Sequence, residues 1–298
     1  MSMTRVLAIA AVVVAGGAAA GASVAVWQST PGVQSPAAAT AAVLPAGPGR
    51  LRPIPHPPVA RLVVLRYPTL TVGDSGTRVL RLQQLLADTA YLPLRFHRTG
   101  RPRISPLAAR AGSFSWRFAP PAGLAAQWQR GTFGEVTRGA VMTFEAEHGL
   151  TPDGIAGPRV WRALVAAAAH GRWTHRPYVY AYVSETLPES ITIYADGRRV
   201  LHTAANTGIP QAPTAQGTWP VYLRYTTTTM QGTNPDGSHY YDTGIPWVSY
   251  FNGGDAVHGF LRPSYGSPQS LGCVELPYAE AHTAFELMTY GTLVTVGA

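Results

Sequence analysis

The strongest constraint on this chain is a stretch that opens with a histidine-glycine pair and closes on the only cysteine among 298 residues. His258-Gly259 begins it, Gly272-Cys273 ends it, and the residues between are rich in Gly, Pro and Ser. Such a loop can fold back and bring His258 onto Cys273. An imidazole that takes the thiol proton turns cysteine into a nucleophile. Glycine before the cysteine lets two backbone N–H groups point at a developing oxyanion. The stretch therefore predicts a cysteine acyl-transfer site.

Each of the two reactive side chains has a plainer interpretation. A free cysteine is most often a small buried hydrophobe, and His258 could be a strand-end histidine paired to backbone. A single cysteine cannot form an internal disulfide, and an exposed idle thiol is open to oxidation. Together with the sequence context, this favours the nucleophile. The other histidines show no metal-ligand spacing, so we expect no metal and no cofactor.

The stretch resembles the catalytic motif of the L,D-transpeptidases of the YkuD type, which cross-link cell walls. The residues that match the motif are His258, Gly259, Ser270, Gly272, Cys273 and Val274. Two positions depart from it: Leu271 stands where a second histidine is usual, and Glu275 stands where Asn or Arg is usual.

The resemblance implies a role for each catalytic residue. Cys273 would be the nucleophile and His258 its base, with the carbonyl of Gly259 orienting the ring. The N–H groups of Gly272 and Cys273 would bind the oxyanion. Asp255 is a weaker candidate for orienting the histidine. Glu275 brings a negative charge to a position where the motif has a neutral or positive residue, which bears on substrate preference.

Four side chains are candidates for substrate binding, each with an alternative. Tyr241 lies in a segment, 240–243, that resembles the substrate loop of the family, but it could equally be a packed aromatic. Trp247 could line the cleft or belong to the core. Ser270 could bind substrate or shape the turn. Arg262 could pair with Glu275 or with a substrate carboxylate.

The first 60 residues predict export. The stretch from Val6 to Trp27 has no charged residue. It is long enough to span a bilayer, and it also contains small residues at which a signal peptide could be cleaved. Residues 1–28 are therefore expected to be a signal peptide or a membrane anchor. Residues 29–60, rich in Pro, Ala and Gly, are expected to be an extended linker.

Residues 61–172 are expected to form a small domain of three helices. The helices follow cap and punctuation residues at Asp74-Ser75-Gly76-Thr77, at Thr137 and at Gly157-Pro158. The segment resembles the PG_binding_1 type of peptidoglycan-binding module, interrupted by an insertion near residues 95–130. A helical spacer without a ligand is the alternative.

Residues 173–298 are expected to form a mainly β catalytic domain. Strands are predicted at 178–183, 191–194, 200–207 and 218–225, with a hairpin turn at Asp196-Gly197. A helix over 278–290 and a closing strand over 293–296 follow. The fold class is α+β multidomain: a three-helix peptidoglycan-binding-like domain, then a mainly β domain of the L,D-transpeptidase type.

The charge is divided unevenly along the chain. Residues 61–172 carry 15 arginines against 6 acidic residues, whereas residues 173–298 carry 5 arginines against 9. The basic segment indicates an anionic surface partner. Nucleic acid is not expected, because the chain has no basic helix with interleaved aromatic residues and no recognised binding motif.

The resemblance thus implies a peptidoglycan L,D-transpeptidase that makes 3–3 cross-links through a cysteine thioester. Its partners would be peptidoglycan stem peptides and glycan, with the cell membrane added if residues 1–28 stay uncleaved. It would work outside the cytoplasm, in the cell envelope. Two alternatives remain: an L,D-carboxypeptidase at the same site, or a wall-binding protein whose catalytic domain has decayed.

Overall fold

The computed structural model describes residues 66–100 and 105–298. The expected signal peptide or anchor and the expected linker lie outside these residues. The longest described helix has 13 residues, and none of the helices in the described part of the chain could cross a bilayer.

The N-terminal part of the described chain is mainly helical. Its elements are α1 (Thr77–Asp88), β1 (Leu94–Arg98), β2 (Gly112–Trp116), α2 (Ala122–Ala126), α3 (Glu135–Glu147) and α4 (Pro158–Ala169). The three helices expected from the sequence are α1, α3 and α4. Within the expected insertion lie the antiparallel pair β1–β2 and the short α2, none of which the sequence predicted.

Apolar spacing explains these helices. In α1, Val79, Leu82 and Leu85 recur three residues apart and are all buried. In α4, Pro158 occupies the first turn, where its missing N–H costs no hydrogen bond, and Trp161 is buried one turn later. The helices therefore pack around one apolar core.

The C-terminal part is mainly β, as expected. Its elements are β3 (Val179–Ser184), β4 (Ser190–Ala195), β5 (Arg198–Ala204), β6 (Gly217–Pro220), β7 (Leu223–Thr233), β8 (His239–Asn252), β9 (Asp255–Gly259), β10 (Val274–Leu276), α5 (Tyr278–Leu287) and β11 (Leu293–Gly297). One sheet has the order β5-β4-β3-β11-β6 and the other the order β10-β9-β8-β7.

Two predictions in this part were wrong. Residues 218–225 form two strands rather than one, because the backbone changes sheets after Pro220. The N–H of Val221 bonds to Thr292 beside the first sheet, and the next N–H, of Tyr222, bonds to Tyr250 of the second. The segment 240–243, expected to be a loop, belongs to β8 and pairs with β7.

The helical and β parts share a core and form one compact unit. Tyr180 of β3 and Leu293 of β11 are buried among the side chains of the helices. On α3, Gly139 comes so close to Gly291 that an added Cβ would stand 2.5 Å from its carbonyl oxygen. Thr143 donates to the carbonyl of Tyr290 at 3.0 Å. The helices are thus fastened to the catalytic sheet through α3.

Candidate active site

The parallel pairing of β9 with β10 brings the predicted nucleophile and base together. His258 stands opposite Glu275 in this ladder, so their side chains project from the same face of the sheet. Cys273 precedes Glu275 by two positions, and side chains two apart share a face. His258 and Cys273 are therefore diagonal neighbours, and both line a cavity of about 310 Å³.

The loop that joins β9 to β10 is hydrogen-bonded to the segment that follows β5. Asn206 exchanges two backbone hydrogen bonds with Glu275, at 2.9 and 3.0 Å, and Thr207 accepts from the N–H of Ser270 at 3.0 Å. Thr207 is held in turn by Glu189, whose two carboxylate oxygens accept from its N–H and its hydroxyl, both at 2.8 Å. These contacts set where the chain re-enters the sheet at Cys273.

His258 is buried and its ring is fixed by backbone. Its Nδ1 lies 3.1 Å from the carbonyl oxygen of Gly259. A carbonyl can only accept, so Nδ1 carries the proton and Nε2 is left as the acceptor. Burial lowers the pKa of His258, opposed by the Gly259 carbonyl and by the charge of Glu275. The imidazole is therefore neutral near pH 7 and able to accept a proton.

Cys273 is half-buried, and its thiol is also neutral. Burial raises its pKa to about 12, helped by the charges of Asp255 and Glu275 and opposed by the N–H of Ala256. The thiol donates to the carbonyl of Gly254 at 3.6 Å. A neutral thiol beside a neutral imidazole means that the proton must leave sulfur as the new bond forms.

The turn before the cysteine is closed by Ser270. Its hydroxyl donates to the carbonyl of Cys273 at 2.5 Å and accepts from the N–H of Gly272 at 3.2 Å. Gly272 has φ +112°, a conformation that side chains rarely adopt, and an added Cβ would stand 2.6 Å from Oδ1 of Asp255. In this structure the hydroxyl of Ser270 thus shapes the turn.

Arg262 and Glu275 form a bidentate ion pair on the cavity wall. Nε and Nη2 of Arg262 donate to the two carboxylate oxygens of Glu275, both at 2.8 Å, and Nη2 also reaches the carbonyl of Gln269 at 3.2 Å. The guanidinium lies 4.6 Å from the ring centroid of Phe260, which meets His258 edge-on at 6.1 Å. The negative charge of Glu275, which departs from the family motif, is therefore compensated by Arg262.

The structure keeps two of the predicted substrate-binding side chains away from this cavity. Tyr241 is 67% exposed, whereas its neighbours Tyr240 and Asp242 line the cavity. Adjacent residues of a strand point to opposite faces, which separates Tyr241 from the other two. Trp247 packs against α5, with its ring 5.7 Å from that of Tyr278 and 5.2 Å from that of His282.

Several lining residues had not been singled out from the sequence. These are Met230, Asn234, Tyr240, Asp242, Ile245, Phe260 and Gln269. Leu271 and Glu275, noted in the sequence as departures from the family motif, line the cavity as well. For Phe260 the signal was period-two alternation after His258, since the N–H of Phe260 continues the pairing onto Leu276. Among the β7–β8 residues, the sequence marks only the segment 240–243, through its resemblance to the family's substrate loop. Met230, Asn234 and Ile245 come close only through the fold.

Asp255, the weaker candidate for orienting the histidine, lies beside Gly272, whereas the partner of His258 Nδ1 is the carbonyl of Gly259. Its Oδ2 accepts from the N–H of Ala215 at 3.1 Å, and burial raises the pKa of its carboxyl. Within residues 66–100 and 105–298, no three His, Cys, Asp or Glu side chains are grouped to hold a metal ion.

Comparison with known families assigns both parts of the chain. Residues 179–296 match the family model of the L,D-transpeptidase catalytic domain, YkuD, and residues 122–164 match that of a putative peptidoglycan binding domain, PG_binding_1. The second match begins after α1, so it covers less than the predicted domain. None of the curated proteins compared with the chain matches it.

Similar solved structures include an L,D-transpeptidase from Mycobacterium smegmatis, at 22% identity and a TM-score of 0.36. The match covers 41% of this chain and 59% of that one, so the chain spans less than two thirds of that protein. L,D-transpeptidase 3 from Mycobacterium tuberculosis matches at 20% identity and a TM-score of 0.38, over 41% of this chain and 62% of that one.

The catalytic domain of an E. faecium L,D-transpeptidase matches at 27% identity and a TM-score of 0.37, over 42% of this chain and all of that one. The assignment itself rests on the two family models. The chain carries a catalytic domain of the YkuD L,D-transpeptidase family at residues 179–296, behind a putative peptidoglycan-binding domain at residues 122–164.

Proposed function

We propose that this protein is a peptidoglycan L,D-transpeptidase that forms 3–3 cross-links through a thioester on Cys273. The observation that carries the proposal is the register of β9 and β10, which sets Cys273 and His258 on one sheet face at one cavity. The catalytic family of residues 179–296 supports the same chemistry. Stem peptides would enter the cavity, and glycan would meet the helical part.

The first half of the reaction would acylate the enzyme. Sγ of Cys273 attacks the carbonyl of the L-centre of the diamino acid in a tetrapeptide stem, and its proton passes to Nε2 of His258. Collapse of the tetrahedral intermediate breaks the bond to the terminal D-alanine, whose amine takes that proton. A thioester on Cys273 is left.

The second half would transfer the acyl group. An amine of a neighbouring stem attacks the thioester and gives a proton to His258, which returns it to the departing sulfur. The N–H groups of Gly272 and Cys273 would stabilise the oxyanion in both halves. To do so, the N–H of Gly272 must give up its hydrogen bond to Oγ of Ser270 and donate to the oxyanion instead. That hydrogen bond is 3.2 Å long and therefore weak enough to be replaced.

Two alternatives follow from the same site. Water in place of the amine would make the enzyme an L,D-carboxypeptidase. Leu271 and Glu275, at positions where the family motif has other residues, would suit a decayed domain in a wall-binding protein. The ion pair of Arg262 with Glu275 favours a working site, because the added acid is neutralised where it stands.

The proposal also places the protein in the cell envelope. Both matched families concern peptidoglycan. Residues 1–28, as a cleaved signal or as an anchor, would export the chain, and residues 29–60 would give it reach.

The test has two assays on separate samples: the mass of the intact protein after incubation with a carbapenem, and the products formed from disaccharide-tetrapeptide by protein that has not met the carbapenem. We expect one covalent adduct in the wild type and none in Cys273→Ala. His258→Asn should acylate at least about 100-fold more slowly, the usual contribution of a general base.

The products then separate the three functions. Dimers joined by 3–3 links support the transpeptidase, and tripeptide without dimer supports the carboxypeptidase. A wild-type protein that forms neither adduct nor product would be the wall-binding protein. A folded Cys273→Ala variant, checked by its circular dichroism, is the matched control.

A further inference from the structure

The charges on the cavity wall do not balance. Arg262 is occupied by Glu275 and by the carbonyl of Gln269, and His258 is neutral. Asp242 lines the same cavity and is half-buried, and within the described residues it has no ion pair or hydrogen bond through its carboxylate. The cavity therefore keeps one uncompensated negative charge.

Asp242 is held in place by the β7–β8 pair rather than by a free loop. It stands opposite Met230 in the antiparallel ladder, and Met230 lines the cavity beside it. Two positions earlier, Tyr240 lies over Gly232, where an added Cβ would stand 2.7 Å from the tyrosine ring. The wall that presents Asp242 is thus close-packed on paired strands.

We propose that Asp242 binds an ammonium group of the substrate, namely the free side-chain amine of the diamino acid whose carbonyl Cys273 attacks. This rests on the function proposed above and adds the residue that selects the donor. A half-buried carboxylate with no protein partner gains most from a cation that brings its own N–H donors.

The same charge layout works against a donor that presents only a carboxylate at this point. Such a group would approach Asp242 with like charge, and the nearby guanidinium already spends three hydrogen bonds on Glu275 and Gln269. Reaching it would mean breaking the ion pair and leaving buried Glu275 without a partner. The wall thus discriminates by charge in addition to attracting the amine.

The test uses two tetrapeptide donors that differ at one group. One has lysine at the third position and the other has norleucine, which keeps the carbon chain and lacks the ammonium. Release of D-alanine gives kcat/KM for each with the full-length protein. We expect the wild type to prefer the lysine peptide by about tenfold, as for one charge-assisted hydrogen bond.

In Asp242→Asn the preference should fall to about one, whereas Asp242→Glu should retain part of it. The matched control is Asp236→Asn, on the same hairpin but outside the cavity, which should keep the wild-type ratio. A carbapenem adduct in Asp242→Asn, detected by mass, shows that its site is folded.

Two outcomes would overturn the inference. One is an equal rate for both peptides in the wild type, and the other is a wild-type ratio in Asp242→Asn. Both leave the proposed function standing, since D-alanine is released. No release from either peptide would instead overturn the proposed function and this inference with it.

Discussion

Glu275 and His258 stand directly opposite each other in the parallel pair that carries the catalytic residues, so the base shares its sheet face with a buried carboxylate. Arg262 binds that carboxylate through two parallel hydrogen bonds and stacks on Phe260, which touches His258. The acidic residue, the arginine and the aromatic ring therefore form one unit around the base.

Removing the arginine should cost more than removing the acid. Arg262→Gln leaves Glu275 buried without a counter-charge, and we expect a loss of about 2 kcal/mol in the free energy of unfolding, below the range for fully buried pairs because Arg262 is partly exposed. Glu275→Gln should lose less, since a freed arginine can reach water. Urea denaturation of the two variants measures both. An equal loss would contradict the asymmetry.

Substitution of Gly272 should disable the site. In Gly272→Ala the new Cβ meets Asp255 Oδ1 and the backbone loses a conformation that glycine adopts freely, so Cys273 is displaced. We expect carbapenem acylation to fall at least about tenfold, as a shift in position of the nucleophile implies. Gly73→Ala is the matched control, because Gly73 also has positive φ, +95°, but meets nothing within 4 Å. Equal acylation by the two variants would show that the contact with Asp255 is unimportant.

The resting thiol should be slow towards simple alkylating agents at neutral pH. With a pKa of about 12, only the small thiolate fraction reacts, and that fraction grows tenfold per pH unit. Iodoacetamide should therefore modify Cys273 with a rate that climbs from pH 7 to pH 10 without a plateau. A plateau near pH 7 would reveal a preformed thiolate–imidazolium pair instead.

The residues of the catalytic motif, but few of those that line the cavity, could be predicted from the sequence. Cys273, His258 and the glycine beside each are close in sequence and carry their chemistry in their residue types. The expectation for Tyr241 falls one residue away from Tyr240, which lines the cavity, because a segment pattern cannot tell which of two adjacent residues faces inward. That choice depends on strand register, and the β7–β8 ladder has an irregularity between Thr228 and Met230.

The same limit explains the strand errors. A run of β-branched and aromatic residues such as 218–225 predicts strand without saying in which sheet. The helices of the N-terminal part were easier to predict, because each has its own apolar spacing and its own residues that favour a helix start or end. Their attachment to the catalytic sheet through Gly139 and Gly291 was not visible, since it joins residues far apart in the chain.

Buried Glu145 of α3 should make the fold less stable as pH rises. Burial raises the pKa of Glu145 to about 8, with Asp153 adding to the rise and the N–H of Gly154 opposing it. The folded state therefore holds a proton that the unfolded state releases above about pH 4.3, and stability falls from there through pH 8. Glu145→Gln should raise the melting temperature at pH 8 and leave it nearly unchanged at pH 4. A gain of equal size at both pH values would point to packing rather than to the proton.

Helix α3 lies against the edge of the catalytic sheet with almost no space between their backbones, and this has a mechanical consequence. A glycan strand bound by the helices and a stem peptide bound at Cys273 would be held at a fixed distance from each other, since α3 packs directly on the catalytic sheet. Such a protein would measure distance along the polymer it holds, because its two binding surfaces could not swing against each other.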